Sequence, residues 1–178
     1  MDNDNAHDEL DRIDMLRAAS GDRGAFAALY LSHASRVYGL CLRIARDSHH
    51  AEDLTQETFL RALRAAQSFR QGAPFGPWLR RIAANLAIDW QRSRLPQAQL
   101  DMPEEGPAIA AIGDDPLASV QSHQLLSRLP LQSRTIVWLV LVEGWTHAEL
   151  AVRFGRSESW SKSILSRALS KLESGEES

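Results

Sequence analysis

The chain has 178 residues, of which 44% are hydrophobic and 24% charged, the balance of a globular protein with room for one ordinary domain or two small ones. Its net charge of −3 argues against a uniformly basic nucleic-acid-binding domain, and with no apolar run near the ~20 residues that cross a bilayer, no membrane span is expected. The acidic opening MDNDNAHDELDRID has no apolar core and so reads as no signal peptide, and the single cysteine, Cys41, has no second thiol to pair with; both point to the cytoplasm.

The acids are unevenly spread. Asp2, Asp4, Asp8, Glu9, Asp11 and Asp14 crowd the start, Asp101, Glu104, Glu105, Asp114 and Asp115 crowd the middle, and the segments between are balanced or basic. Local charge governs a phosphate contact within a Debye length of ~8–10 Å, so the negative total leaves DNA binding open. Residues 1–8 are expected to be frayed. A short helix then carries Leu10, Ile13, Leu16 and Arg17 and stops at Gly21. Asp22 can cap the next helix, whose stripe is Phe26, Leu29, Tyr30, Val37, Leu40, Cys41 and Ile44. Cys41 on that stripe packs as a small hydrophobe. Ser48-His49-His50 makes a turn and cap. Adjacent histidines at a helix start point in different directions and no acidic or thiol partner has ligand spacing, so neither a metal nor another cofactor is expected.

From Ala51 to Arg94 two helical patterns flank a loop. In the first, Leu54, Phe59, Ala62, Leu63, Ala66 and Phe69 form one apolar stripe, with Asp53, Gln56, Glu57, Leu60 and Arg64 on other faces. An acidic and amide patch with one leucine beside it is either a docking surface or a solvated face. The second pattern opens at Pro77-Trp78, because a proline's missing N–H does no harm at a first helical position. Trp78, Leu79, Ile82, Ala83, Leu86, Ile88 and Trp90 supply apolar surface; Arg80, Arg81, Asn85, Asp89, Arg92 and Arg94 supply a mostly cationic one. Between them, Phe69-Arg70-Gln71-Gly72-Ala73-Pro74-Phe75-Gly76 interleaves rings, a cation and glycines. That composition suits single-stranded nucleic acid, since bases stack on rings and cations follow phosphates. Phe69 and Phe75 read as stacking platforms, Trp78 as core.

Together these residues resemble the second conserved region of bacterial sigma factors, most closely the extracytoplasmic-function group. The family pattern D–L–x–Q–E–x–F is met by Asp53, Leu54, Gln56, Glu57 and Phe59. The pattern W–L–x–x–I–A–x–N–x–x–x–D–x–x–R is met by Trp78, Leu79, Ile82, Ala83, Asn85, Asp89 and Arg92.

Residues 95–115 bring proline, glycine and acids without a sustained period, and read as a flexible linker. Fully extended, at ~3.3–3.6 Å per residue, they reach about 70 Å, near the ~68 Å of two turns of duplex DNA. Asp115-Pro116 looks like a cap and first-turn proline, followed by a helix on Leu117, Val120, Leu125, Leu126 and Leu129. Pro130 opens another, whose run Ile136, Val137, Leu139, Val140, Leu141 imitates a buried strand; the Pro130 start and Gly144 stop favour helix. Thr146 and Glu149 form a capping box, and the short helix behind it ends at Gly155. Helix, glycine turn, helix is the plan of a helix-turn-helix, and also of a plain helical hairpin.

This half resembles the family's fourth region at Leu129-Pro130, Arg134, Glu143-Gly144, Thr146, Ala148 to Ala151, Gly155, Ser157-Glu158, Lys162-Ser163, Leu165 and Ser166 to Ala168. It departs at Arg156 and Ser161, where the family usually buries an aliphatic, at Ile164, where a cation is common, and at Trp160, which replaces a small residue.

The resemblance implies an all-α protein of two small helical domains, residues 1–94 and 116–178, the second a helix-turn-helix, joined by the 95–115 linker. It implies a sigma factor that binds core RNA polymerase and directs promoter recognition, melting and initiation. Asp53, Gln56, Glu57 and Leu60 would face the polymerase. Phe69, Phe75 and Asn85 would hold unstacked bases of the minus-ten element, with Arg80, Arg81 and Arg92 on phosphates. Ser157, Ser159, Trp160, Lys162, Ser163 and Arg167 would read minus-thirty-five duplex. Partners would be polymerase, single-stranded and duplex promoter DNA, and an anti-sigma protein. A stand-alone helix-turn-helix regulator with an N-terminal dimerisation or sensing domain explains residues 116–172 but leaves the Asp53–Arg92 pattern unexplained. No phosphate loop, metal cluster or nucleophile elbow is present in the sequence, so no catalysis is expected.

Overall fold

The computed structural model describes residues 2–69, 73–94, 126 and 129–174, and among these all regular structure is helical. The linker at 95–115, most of the helix expected over 116–129, and the loop residues Arg70, Gln71 and Gly72 lie outside the described residues. The chain divides into two compact units, Met1–Ala87 and Ile88–Ser178.

In the first unit, helix α1 spans Asp2–Ala19, so helix replaces the frayed start expected over residues 1–8. The reason is visible in its contacts: acids of its first turns find partners on other elements, as described below. Gly21, at φ 101°, turns the chain where only glycine sits easily. Asp22 then caps α2 (Arg23–Ala45), its Oδ1 accepting from the N–H groups of Gly24 and Ala25 at 2.9 and 3.1 Å. Leu29, Val37, Leu40, Cys41 and Ile44 are buried as the stripe predicts, while Tyr30 sits at the rim with its ring 4.9 Å from that of Phe59. Burial pushes the Cys41 thiol up to about 12, leaving a protonated packing group, with a Thr55 hydrogen bond pulling weakly the other way.

Helix α3 (Ser48–Ala65) starts at Asp47 and runs into a single 3₁₀ turn, Ala66–Ser68. Its inner face holds Ala51, Leu54, Phe59 and Ala62, with Thr55 and Thr58 buried beside them; each threonine hydroxyl donates back to a carbonyl of its own helix, Ala51 and Leu54, at 2.7 Å. Helix α4 spans Phe75–Arg94, beginning two residues before the expected Pro77 start, and continues past the boundary of the first unit. Pro77 still falls in the first turn, where its missing N–H is harmless. The earlier start adds Phe75 to the inward stripe. Phe75, Leu79, Ala83 and Leu86 recur at i, i+4, i+8 and i+11, and all four are buried, Phe75 completely.

In the second unit, α5 spans Leu131–Leu141, α6 His147–Phe154 and α7 Glu158–Ser174. The apolar run is therefore helix, opened by Pro130 and followed by Gly144 at φ 70°. Leu129, Val137 and Ala168 form a core on which Leu126, Leu165 and Leu172 pack. Arg134 is buried, with Nε donating to the Leu126 carbonyl at 2.9 Å and Nη2 to that of Leu129 at 3.2 Å. It thereby satisfies carbonyls at the end of the preceding segment, as basic groups do at helix C-termini.

Because Phe75 is fully enclosed and Trp78 only half-buried, Phe75→Ala should cost about 3–5 kcal/mol of unfolding free energy and Trp78→Ala distinctly less. Urea unfolding of the two variants against the native chain checks the order.

Candidate nucleic-acid interface

Three surfaces gather the residues singled out by the sequence. The first lies on α3. Asp53, Gln56, Glu57 and Leu60 stand at i, i+3, i+4 and i+7, which places them on one side, opposite the buried stripe. Asp53 and Gln56 are exposed, Glu57 is half-buried, and Leu60 keeps 46% of its surface. Sequence reading missed Arg61, whose Nε donates to Glu57 Oε1 at 2.8 Å; the i, i+4 spacing of Glu57 and Arg61 is the signal that finds it. At the head of the helix, Asp47 Oδ1 accepts from the His50 N–H at 2.8 Å and also faces His50 Nδ1 at 2.9 Å, so this histidine is engaged by its own cap.

The second surface is the aromatic start of α4. Phe69, Phe75 and Trp78 form a triangle of rings with centroids 5.8 Å (Phe69–Phe75), 5.7 Å (Phe75–Trp78) and 4.7 Å (Phe69–Trp78) apart. Phe75 is the buried apex, 0% exposed, and so cannot serve as the stacking platform expected of it; Phe69 and Trp78 are half-buried and keep ring surface at the rim. The burial expected of Phe75 and of Trp78 is thus exchanged. Helical spacing explains both: Phe75 lies one turn before Leu79 on the inward stripe, while Trp78 stands to one side of it. Trp78, Arg81 and Asn85, at i, i+3 and i+7, share a face; Arg81 is exposed and Asn85 half-buried. Arg92, two turns further along, is exposed. Arg80 is half-buried and, at ~100° per residue, lies about 140° around the helix from Asn85, so it does not join that face.

The third surface is the outer side of α7. Thr146 and Glu149 close the expected capping box, with the Thr146 N–H donating to Glu149 at 2.8 Å and the Glu149 N–H to Thr146 Oγ1 at 3.2 Å. Gly155 ends α6 at φ 63°. Ser159, Lys162, Ser163, Ser166 and Arg167 stand at i, i+3, i+4, i+7 and i+8 and are all exposed. Ser157 accepts from the Trp160 N–H at 3.3 Å and its hydroxyl lies 2.9 Å from that of Ser159, so it starts the helix as well as facing outward. Lys162 pairs with Glu158 at 3.1 Å, and Arg167 Nε donates to the Ser163 carbonyl at 3.2 Å. Trp160 leans inward, its ring 5.3 Å from that of Phe154. Beside α7, Arg156, Arg167 and Lys171 line a groove with Gln132 and Ser133. Lys171 was missed, although it repeats Arg167 one turn on.

The departures at Ser161 and Ile164 are accommodated. Ile164 is core, 6% exposed, and Ser161 is wholly enclosed. Ser161 Oγ donates to the Glu158 carbonyl at 3.0 Å and lies 2.9 Å from His147 Nδ1. A hydroxyl–imidazole clasp between α6 and α7 stands where an aliphatic contact was expected.

The profile of Sigma-70 region 2 matches residues 29–95 and that of Sigma-70, region 4 matches residues 120–172. The ECF RNA polymerase sigma factor SigE of Mycolicibacterium smegmatis is 36% identical over 147 residues, which cover 77% of this chain and 57% of SigE, so the chain spans little over half of that relative. The RNA polymerase sigma factor CarQ of Myxococcus xanthus is 35% identical over 161 residues, 89% of this chain and 92% of CarQ. Among solved structures, CnrH in complex with the cytosolic domain of CnrY is similar with a TM-score of 0.53 and 26% identity, covering 93% of this chain and 96% of that one. The sigma factor RpoE in complex with the anti-sigma factor NepR from Bartonella quintana shares the fold, with a TM-score of 0.56 and 24% identity over 84% of this chain and 94% of that one.

The N–H group of His50 holds the Asp47 carboxyl below the ordinary aspartate range, the His50 side chain adding to the effect. A depressed folded value means the cap is fully present above the unfolded aspartate value and is lost as pH falls through the folded one. Amide exchange at His50 should therefore be unchanged from neutral pH down to the ordinary aspartate range and accelerate, relative to intrinsic rates, below it. In Asp47→Asn the acid step should vanish.

Proposed function

The chain belongs to the extracytoplasmic-function sigma factors, and on that premise we propose how its surfaces divide the work of starting transcription. The face of α3 carrying Asp53, Gln56, Glu57 and Leu60 docks on core RNA polymerase. Phe69 and Trp78 receive bases of the melted minus-ten element and Asn85, with both donor and acceptor, reads the edge of one. Arg81 and Arg92 follow the phosphates. The outer side of α7 enters duplex DNA at the minus-thirty-five element, with Ser159 and Ser163 toward base edges and Lys162, Arg167 and Lys171 toward phosphates. Ser157 and Trp160 serve there chiefly by starting α7 and seating it on α6.

The observation that carries this reading is the coexistence, in one chain, of the α3 face and the ring cluster within the region 2 match and the cationic α7 face within the region 4 match. A stand-alone regulator would need only the last. The protein acts in the cytoplasm, by binding and without catalysis of its own; no helix among the described residues is long and apolar enough to cross a membrane. An inhibitory partner that covers the α3 face and α7 is also part of the proposal, in keeping with CnrH having been solved together with another protein's cytosolic domain.

Copurification with core polymerase, followed by sequencing of the transcripts the complex makes, tests the whole reading and yields the promoter. Asp53→Lys with Glu57→Lys should abolish copurification and leave helicity intact. Wild-type binding by the double variant would remove α3 from the interface.

On the duplex promoter so obtained, Lys162→Ala and Arg167→Ala should each lower the slope of log affinity against log salt by about one. Ser163→Ala should instead change the preferred sequence at nearly constant slope. Unchanged slopes and preferences in all three would show that α7 stays out of the groove.

A further inference from the structure

The first N–H groups of an α-helix have no acceptor within the helix. One of those in α4, the N–H of Phe75, donates to Oδ1 of Asp8 at 3.0 Å, across 67 residues of sequence. α4 is therefore capped by a side chain of α1. At the next position on the same side of α1, Asp11 Oδ2 lies 2.7 Å from Nε2 of His33, and the two side chains keep only 20% and 12% of their surface. The His33 ring in turn meets the Phe75 ring edge-on, centroids 5.1 Å apart and planes at 62°. Gly76 borders the same imidazole, a Cβ built there standing 3.7 Å from it, in ordinary van der Waals contact. Phe75 then supports both Phe69 and Trp78, the two rings that keep exposed surface.

We propose that Asp8 and the Asp11–His33 pair are positioning residues for base capture. The cap fixes where α4 begins, the imidazole fixes the plane of Phe75, and Phe75 sets the spacing of Phe69 and Trp78 at which a flipped base stacks. None of the three touches DNA. Their chemistry fits that division: a carboxylate facing phosphates repels them, whereas these two are turned to a backbone N–H and an imidazole, the first of them at the positive end of α4. The proposal rests on the reading that Phe69 and Trp78 receive unstacked bases.

The test uses the full chain assembled with core polymerase and the promoter recovered by transcript sequencing, presented as closed duplex and as a fork whose non-template strand is single-stranded over the minus-ten element. Asp8→Ala should lose roughly fivefold in fork affinity, the change that loss of one helix cap makes to an equilibrium, with affinity for core polymerase unaltered. Asp8→Asn, which keeps an acceptor oxygen, should restore it. Asp11→Ala, which leaves the cap in place, should weaken fork binding in the same direction and reports independently should Asp8→Ala not fold. All are measured well below the melting transition, so a purely structural role would lower the melting temperature and leave fork affinity at the native value, overturning the proposal. Equal loss in Asp8→Ala and Asp8→Asn would also overturn it, since charge and not capping would then matter. Trp78→Ala and Phe69→Ala separate this from the underlying reading. If they weaken fork binding and the acid variants do not, positioning alone fails; if they too bind the fork as the native chain does, the base-capture reading fails first.

Discussion

A helix can begin inside a packed cluster of rings only if its leading N–H groups find acceptors there, and the start of α4 is such a place. Aromatic packing alone is weakly directional, and three rings within 6 Å of one another admit more than one arrangement. The hydrogen bond from Phe75 N–H to Asp8 removes that freedom, because it requires one backbone group to lie at one point on α1. Once α4 begins at Phe75, helical periodicity decides the rest. Phe75, Leu79 and Ala83 go inward, Trp78 goes to the rim, and Arg81 and Asn85 follow it.

The second unit meets a different difficulty. Helix α6 has eight residues, shorter than helices that persist alone in water, so its ends must be held by other means. The capping box binds the first turn, Gly155 in the left-handed region returns the chain, and Phe154 packs against Trp160 with the rings tilted. The Ser161–His147 bond joins these helices, with Ser161 wholly enclosed and His147 half-buried. The Ser161 hydroxyl is held by the Glu158 carbonyl as well as by the imidazole, so serine is tolerable at this buried position. The clasp and the core contact of Ala168 with Leu129 and Val137 agree on one rotation of α7 about its axis. That rotation sets Ile164 and Ala168 inward and Ser159, Lys162 and Ser163 outward.

Local signals in the sequence located most of this. Asp22, Gly21, the Thr146–Glu149 box and Gly155 act over three or four residues, and each appears in the structure as its chemistry requires. The exposed side of α3 was legible for the same reason, since periodicity is a property of a single helix. What was not legible depended on residues distant in sequence. Nothing near Phe75 reveals that Asp8 will cap it, so Pro77 looked like the helix start and Trp78 like core. Ser161 looked like a packing defect because His147, which answers it, lies on another helix. The α1 acids looked like a frayed tail for the same reason.

Those α1 acids also bear on how a chain of negative charge can approach DNA. Asp8 is bound to a backbone N–H and Asp11 faces His33. Glu9 is paired with Arg12, Asp14 with Arg17 at 3.2 Å, and Asp22 with Arg17 at 2.7 Å. Exposed pairs of this kind contribute little to folding, typically ~0–1 kcal/mol, so stability does not explain their abundance. Their effect is on the field. A carboxylate with a guanidinium against it is a dipole, whose potential falls off faster with distance than that of a single charge, and salt shortens its reach further. On α7, Lys162 alternates with serines, and Arg167 lies one turn beyond Ser163. Net charge is therefore a poor guide in this chain, because Glu9, Asp14 and Asp22 have arginines against them while Lys162, Arg167 and Lys171 are exposed along α7.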